Sequence, residues 1–203
     1  MSETPYLSPL SPSYWRTAAG ELRHLRILIF ASLMAAASVV MSSFFIPFPM
    51  AENLRIYFTF IVTAVCSLVC GPVIALLYGF ASDIIGFVIH PTGAFFPGYT
   101  LSTMLGAFVF ALFFYRRRIT LLRIILAKLL INAFINVGLG SLWSAMLYNK
   151  GYYYFLAKSL VKNSIMLPVE ILILIALFRL LLPILAEAGL IPRPTGKNTL
   201  PVI

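Results

Sequence analysis

The sequence predicts an all-α integral membrane protein of about six transmembrane helices, with both termini in the cytoplasm. Three observations carry that expectation. Of its 203 residues, 61% are hydrophobic and 10% charged, at a mean hydropathy of +0.98. A soluble domain cannot cover that much apolar surface with so few polar groups. The apolar residues fall into runs suited to a ~30 Å hydrocarbon core, punctuated by proline, glycine and polar residues. The cations flank those runs unevenly, so the net charge of +9 is a topology signal. Its dispersal around apolar spans argues against a nucleic-acid-binding patch.

Residues 1–24 read as a cytoplasmic tail. Met1 to Ser13 is rich in Ser and Pro and is expected to be mobile. Tyr14 to Arg26 mixes Trp15, Leu22 and Leu25 with Arg16, Arg23 and Arg26, the composition of an interfacial helix. Residues 25–185 form the membrane domain. Its first span, 25–45, ends before Pro47 and Pro49. The triplet Ala35–Ala37 imitates a signal-cleavage site, but the apolar run continues past it and the preceding tail is long and proline-rich. The second span, 56–70, stops at Gly71-Pro72, and the third, 73–89, carries Asp83. Both are near the short limit for a spanning helix. Spans at 99–115, 121–147 and 161–185 follow, the last containing Pro168 and Glu170, and 186–203 is a polar cytoplasmic tail. Cys66 and Cys70 lie one turn apart on one helix, where side-chain disulfides are not normally made, and read as packing residues.

Lys and Arg orient the bundle. Arg16, Arg23, Arg26, Arg116, Arg117, Arg118, Arg123, Arg179, Arg193 and Lys197 share one side, against Arg55, Lys150, Lys158 and Lys162 on the other. The positive-inside rule puts the first group in the cytoplasm. Three aromatic-rich connections then face outward, among them "HPTGAFFPGYT" from His90 to Thr100. Gly93 and Gly98 permit turns that bulkier residues resist, Pro91 and Pro97 limit the loop's freedom, and Phe95, Phe96 and Tyr99 are thereby presented as a semi-rigid wall.

Catalytic chemistry is scarce. His24 and His90 fall at opposite faces, so no His-rich metal site forms. The segment "GLIPRPTGKNT" imitates a phosphate loop but has the wrong spacing, two prolines, and Asn198 after the lysine. Four polar groups are more informative. Asp83 is an intramembrane carboxylate; it suits the paired donors of an amino-pyrimidinone edge, or a structural hydrogen bond. Asn132, Asn136 and Trp143 line one side of the fifth helix, with Lys128 near its inner end. Amides both donate and accept, which fits a heterocycle and equally fits interhelical contact. Lys128 is expected to snorkel inward or to meet a partner group. Arg55, with Lys158 and Lys162, makes a basic outer mouth that either anchors to the surface or clamps an anion. Glu170 stands behind these. Ala31 and Ala35 form a small-xxx-small patch on the first span, open to internal packing or an external partner.

Four blocks carry a family resemblance: "LRIYFTFI", "CGPVIALLYGFASDIIGFVIHPTGAFFPGYTLS", "KLLINAFINVGLGSLWSAML" and "KSLVKNSIMLPVE". In order and spacing they resemble the substrate-binding S-components of energy-coupling factor (ECF) vitamin transporters, the folate-specific branch above others. The resemblance implies a six-helix domain that captures a vitamin from outside and docks with a membrane T-component and two cytoplasmic ATPases. It topples in the bilayer to deliver the ligand, in the bacterial cell membrane. No cofactor or enzyme activity is implied, ATP hydrolysis belonging to the partners. By matching position, Ala31 and Ala35 would lie on the docking face. Arg55, Asp83, Phe95, Phe96, Gly98, Tyr99, Asn132, Asn136, Trp143 and Lys162 would lie on or near the pocket. Tyr99 departs from the family's usual Phe, adding a hydroxyl and keeping the ring. Folate, a flat heterocycle joined to an aromatic ring and two carboxylates, matches aromatic walls, an inner acid, amides and a basic mouth. Other S-component vitamins (riboflavin, thiamine, a queuosine precursor) are the nearest alternatives, and a ligand without an anion would not need Arg55. A membrane-embedded lipid enzyme would require clustered acids or a nucleophile with its base, which the sequence lacks. A pure scaffold would leave the outer aromatics without a use.

Overall fold

The computed structural model describes residues 7–47, 55–91, 93–148, 151–192 and 201, with backbone alone at 45–47 and 55. Helix α1 (Pro12–Gly20) and a 3-10 turn (Glu21–Arg23) precede α2 (Leu25–Ser42). A two-stranded antiparallel hairpin follows, β1 (Phe45–Pro47) with β2 (Arg55–Tyr57), pairing Ile46 with Ile56. Then come α3 (Thr59–Ile89), α4 (Pro97–Phe114), and α5 (Leu121–Leu130) running into a π-helical stretch (Ile131–Leu139) and α6 (Gly140–Tyr148). Helix α7 (Tyr152–Glu187) is last.

Among the described residues five helical stretches are long and apolar enough to cross a membrane. One of them crosses twice. At Gly71 the backbone takes φ 77° and ψ 175°, and Pro72 follows, so α3 folds back on itself. The Thr63 Oγ1 and Tyr78 Oη atoms consequently lie 3.3 Å apart, although they would stand roughly 22 Å apart along a straight helix. The six passes expected from sequence are therefore present, with Gly71-Pro72 as the turn between the second and third. Glycine is required there: a Cβ would meet the Tyr115 ring at 3.0 Å, and the positive φ is strained for any other residue.

Residues 62–70 are buried on every side, which makes the first arm of α3 the bundle's central element. That enclosure explains why so short a helix is tolerated: protein rather than lipid surrounds it. The second arm packs tightly on α4, where a Cβ on Gly79 would come 2.8 Å from the Met104 Cα. Cys66 and Cys70 are free and buried in this core, with sulfurs 3.9 Å apart.

Several boundaries shift from expectation. Residues 55–57 are strand, so the second pass starts at Thr59. The last helix begins at Tyr152, nine residues before the apolar run, because its first turns carry aromatic and basic side chains along the outer rim. Leu7 to Ser13, expected to be mobile, is held to the inner end of the bundle. The Leu7 N–H donates to the Arg116 carbonyl, and Tyr14 is fully buried with its hydroxyl donating to the Ala111 carbonyl. Glu21 accepts from both Tyr115 Oη (3.0 Å) and Arg116 Nη2 (3.1 Å), closing this inner clasp. Ala31 is buried in the core and Ala35 packs half-buried beside it, whereas Ile29, Leu33 and Val40 form the exposed face of α2.

Candidate functional site

The outer end of α4 organises the site. Pro97 opens the helix, its missing N–H being no loss in the first turn. The polar sequence Tyr99-Thr100-Leu101-Ser102-Thr103 then points to two neighbours at once. Thr100 and Thr103 are one turn apart and donate to Asp83, Oγ1 to Oδ2 at 2.7 Å and Oγ1 to Oδ1 at 3.1 Å. Both carboxylate oxygens thus have one partner each from α4, and the half-buried group retains further acceptor capacity. Tyr99 and Ser102 face α6 instead. The Tyr99 hydroxyl is 3.0 Å from Ser144 Oγ, and Trp143 Nε1 donates to Ser102 Oγ at 3.0 Å.

These bonds fix three rings. Phe96 lies 5.7 Å from Trp143 and 6.1 Å from Tyr99 between ring centroids. Gly98 sits between them: a Cβ there would fall 2.5 Å from carbons of both Phe96 and Trp143. Its role is therefore to let two rings close over the helix, not to make a turn, since Gly98 lies inside α4. Phe95 separates from this group, packing 5.1 Å from Phe87 at the outer end of α3.

Deeper in the bundle a second constellation runs along α5 and the π-helical stretch. Lys128, 1% exposed, pairs with Glu170 Oε2 of α7 at 2.8 Å and lies 4.5 Å from the Phe60 ring centroid. The same Oε2 accepts from Asn132 Nδ2 at 2.9 Å, and Asn132 Oδ1 accepts from Asn136 Nδ2 at 2.7 Å. A carboxylate only accepts, so Glu170 dictates which way both amides face. The wide π turn frees the Asn136 carbonyl, which accepts from Ser159 Oγ of α7 at 3.2 Å. Lys162, half-buried about two turns before Glu170 on α7, feels the charges of both Glu170 and Lys128. Lys158 lies over the Tyr154 ring at 4.2 Å from its centroid. The Arg55 side chain lies outside the described residues; its backbone pairs with Pro47 at the outer hairpin.

Sequence reasoning grouped Asp83 with the ring wall, and α4 does connect them. It missed the partners. Thr100, Ser102, Thr103 and Ser144 hold the site together, and the first three, clustered within about one turn at the start of an apolar span, were a readable signal. Lys128 meets a partner, Glu170, in place of snorkelling. The Ser141 hydroxyl, 1% exposed and with no hydrogen-bond partner among the described residues, had no such signal.

Residues 26–181, covering every membrane pass, match the family described as ECF transporter, substrate-specific component. The chain belongs to that family. A protein of Clostridium novyi (strain NT) named Folate transporter FolT is 31% identical over 154 residues, 75% of this chain and 88% of that one. A Leuconostoc mesenteroides protein of the same name is 28% identical over 124 residues, 58% and 67% of the two chains. Among solved structures, a crystal structure of FolT bound with folic acid superposes with a TM-score of 0.68 at 29% identity, covering 74% of this chain and 92% of that one. As an S-component, this chain is a membrane-embedded, substrate-binding transport subunit and not an enzyme. The functional reading is thereby confined to which ligand its outer half accepts and what it docks with.

Proposed function

We propose that this S-component captures folate from the outer side of a bacterial cell membrane and hands it inward after docking with an ECF T-component and two ATPases. The observation that carries the ligand is the wall of Phe96 and Tyr99 at the α4 end that clasps Asp83, with Trp143 of α6 tied to it through Ser102. A pteridine is flat and aromatic, and rings at 5.7–6.1 Å centroid separation form a surface onto which it stacks. Asp83, with acceptor capacity left over, takes the amino-pyrimidinone edge through paired hydrogen bonds. Asn136 offers amide contacts beneath it, and the glutamate end of the ligand lies toward Arg55, Lys158 or Lys162. Likeness to two proteins named for folate transport supports this choice over other vitamins. Docking is assigned to α2. Its exposed face, Ile29, Leu33 and Val40, supplies the area, whereas the Ala31–Ala35 patch expected to meet the partner packs inward on the core.

The test is direct titration of the purified, detergent-solubilised chain with folic acid, riboflavin and thiamine, read by Trp143 fluorescence in a Trp15→Phe background. Folate alone should quench at stoichiometric levels. Quenching by another vitamin and none by folate overturns the ligand assignment. Mass spectrometry of copurifying small molecules gives an independent reading.

A further inference from the structure

The inner corner between α4 and α5 gathers cations from a short run of sequence. Arg116, Arg117, Arg118 and Arg123 fall within eight residues, and Glu21 is committed to Arg116. Arg117 Nη2 donates to Ser8 Oγ at 3.2 Å, and Arg123 Nη1 donates to the Arg118 carbonyl at 3.1 Å. Both guanidinium groups are thus held in place by neutral oxygens, near enough for their charges to repel one another. They stand beside the start of α5, where Thr120 caps the helix, no acid lies in the first turn, and the Leu121 N–H already donates to the Pro201 carbonyl at 3.0 Å, so the guanidinium groups and not the helix end supply the donors. Two fixed guanidinium groups retain donors suited to a phosphate.

The surroundings say what kind of phosphate. From this corner Leu122, Ile125, Leu126 and Leu129, each 38–48% exposed, run along α5 at helical spacing as an apolar stripe facing outward. Trp15 stacks on Phe108 of α4 at 6.2 Å and donates its Nε1 to the Pro9 carbonyl, next to Arg117's partner Ser8. An indole anchored at a helix end beside cations is the arrangement found at headgroup depth. The segment carrying Ser8, Pro9 and Trp15 lies outside the family-matched residues 26–181, so this corner is completed by a part of the chain beyond the shared membrane core.

We propose that the α4–α5 corner binds the headgroup of an anionic phospholipid of the inner leaflet. Arg117 and Arg123 hold its phosphodiester, and its acyl chains lie along the exposed α5 stripe. Each arginine near an anionic lipid surface contributes about fivefold in preference, so the pair gives about thirtyfold over a zwitterionic lipid. The site does not depend on which vitamin the outer half binds.

The experiment uses full-length Trp143→Phe protein, which leaves Trp15 as the one tryptophan of two. The protein is reconstituted in phosphatidylcholine vesicles doped with a minor fraction of brominated phosphatidylglycerol or, in parallel, brominated phosphatidylcholine. Trp15 fluorescence should be quenched at far lower mole fraction of the brominated phosphatidylglycerol, and Arg117→Gln with Arg123→Gln should abolish the difference. Native mass spectrometry of the otherwise unaltered chain, with and without the two arginine substitutions, reads retained phosphatidylglycerol directly and does not require Trp143→Phe to fold. Equal quenching by the two lipids, or selectivity unmoved by the double substitution, overturns the site. So does a double substitution that leaves lipid retention intact and instead lowers recovery of the complex with T-component and ATPases, which assigns the corner to protein docking.

Discussion

Glu170→Gln should be among the most damaging single substitutions in the bundle. Lys128 is 1% exposed, with its Nζ 2.8 Å from Glu170 and its other near contacts aromatic faces at 4.5 and 6.0 Å. Neutralising Glu170 leaves that ammonium buried without a counter-charge, which typically costs ~3–5 kcal/mol. Lys128→Met should cost less, ~1–3 kcal/mol, because Glu170 retains the Asn132 amide and the neighbouring Lys162 charge. With ~2–4 °C of melting temperature per kcal/mol in a chain of this size, Glu170→Gln corresponds to a fall of about 6–20 °C. Combining the two substitutions removes both charges while Gln still accepts from Asn132, so the double variant should recover to within ~1 kcal/mol of the parent. The assay is thermal unfolding in detergent, followed by size-exclusion recovery. A Glu170→Gln variant melting with the parent, or a double variant worse than the sum of its singles, refutes the reasoning.

Further outcomes follow from other contacts. Gly98→Ala places a methyl 2.5 Å from both Phe96 and Trp143, so it should shift the ring wall and weaken folate binding about tenfold in calorimetry, at a stability cost of ~1–3 kcal/mol. Asp83→Ala should lower folate affinity about 100-fold or more, whereas Thr103→Val, which removes only the longer of its two threonine bonds, should change it by less than about fivefold. Equal small effects from both would make Asp83 purely an interhelical tie. Gly71→Ala forces a side chain into the positive-φ turn and against Tyr115, and should lower the melting temperature by several degrees, ~1–2 kcal/mol or more. Burial raises the Tyr14 and Tyr115 phenols well above their ordinary value of 10.0. Their folded forms keep protons that the unfolded chain releases, so the stability they contribute is complete below pH 10 and declines as pH rises beyond it. Limited proteolysis of the N-terminal segment against pH should show release only on the alkaline side, and Tyr14→Phe should blunt that alkaline dependence; a segment released equally at neutral pH contradicts the clasp.

The membrane class and the passes were legible because hydropathy acts through single residues, independent of tertiary partners. Gly71-Pro72 announced a break, and the chain does reverse there. Asp83, Phe96 and Tyr99 were legible as neighbours because they flank one short outer connection, whereas Trp143, expected beside Asn132 and Asn136, joins the rings through Ser102 and Phe96 while Asn132 turns to Glu170. What stayed hidden depends on long-range pairing. Nothing local in "LAKLL" says that Lys128 turns inward to Glu170, 42 positions away. The separation of Phe95 from Phe96 follows from where Pro97 starts the helix, which adjacency in sequence does not reveal. The docking of Leu7–Ser13 was hidden by composition, since Ser and Pro suggest freedom while Tyr14 fastens the segment by burial.

The fold-back at Gly71 also governs how the protein meets lipid. With the first arm of α3 enclosed, the perimeter includes helices of very unequal reach: α4 and α2 have 18 residues each, ~27 Å, and α7 has 36, ~54 Å. The first turns of α7 lie along the outer rim, and its apolar run 161–185 alone is ~38 Å, still ~11 Å longer than α2 or α4. The bilayer thickens beside α7 or that helix leans, at a fraction of a kcal/mol per ångström. Tilt is therefore built unequally into the rim, with α7 its leaning member.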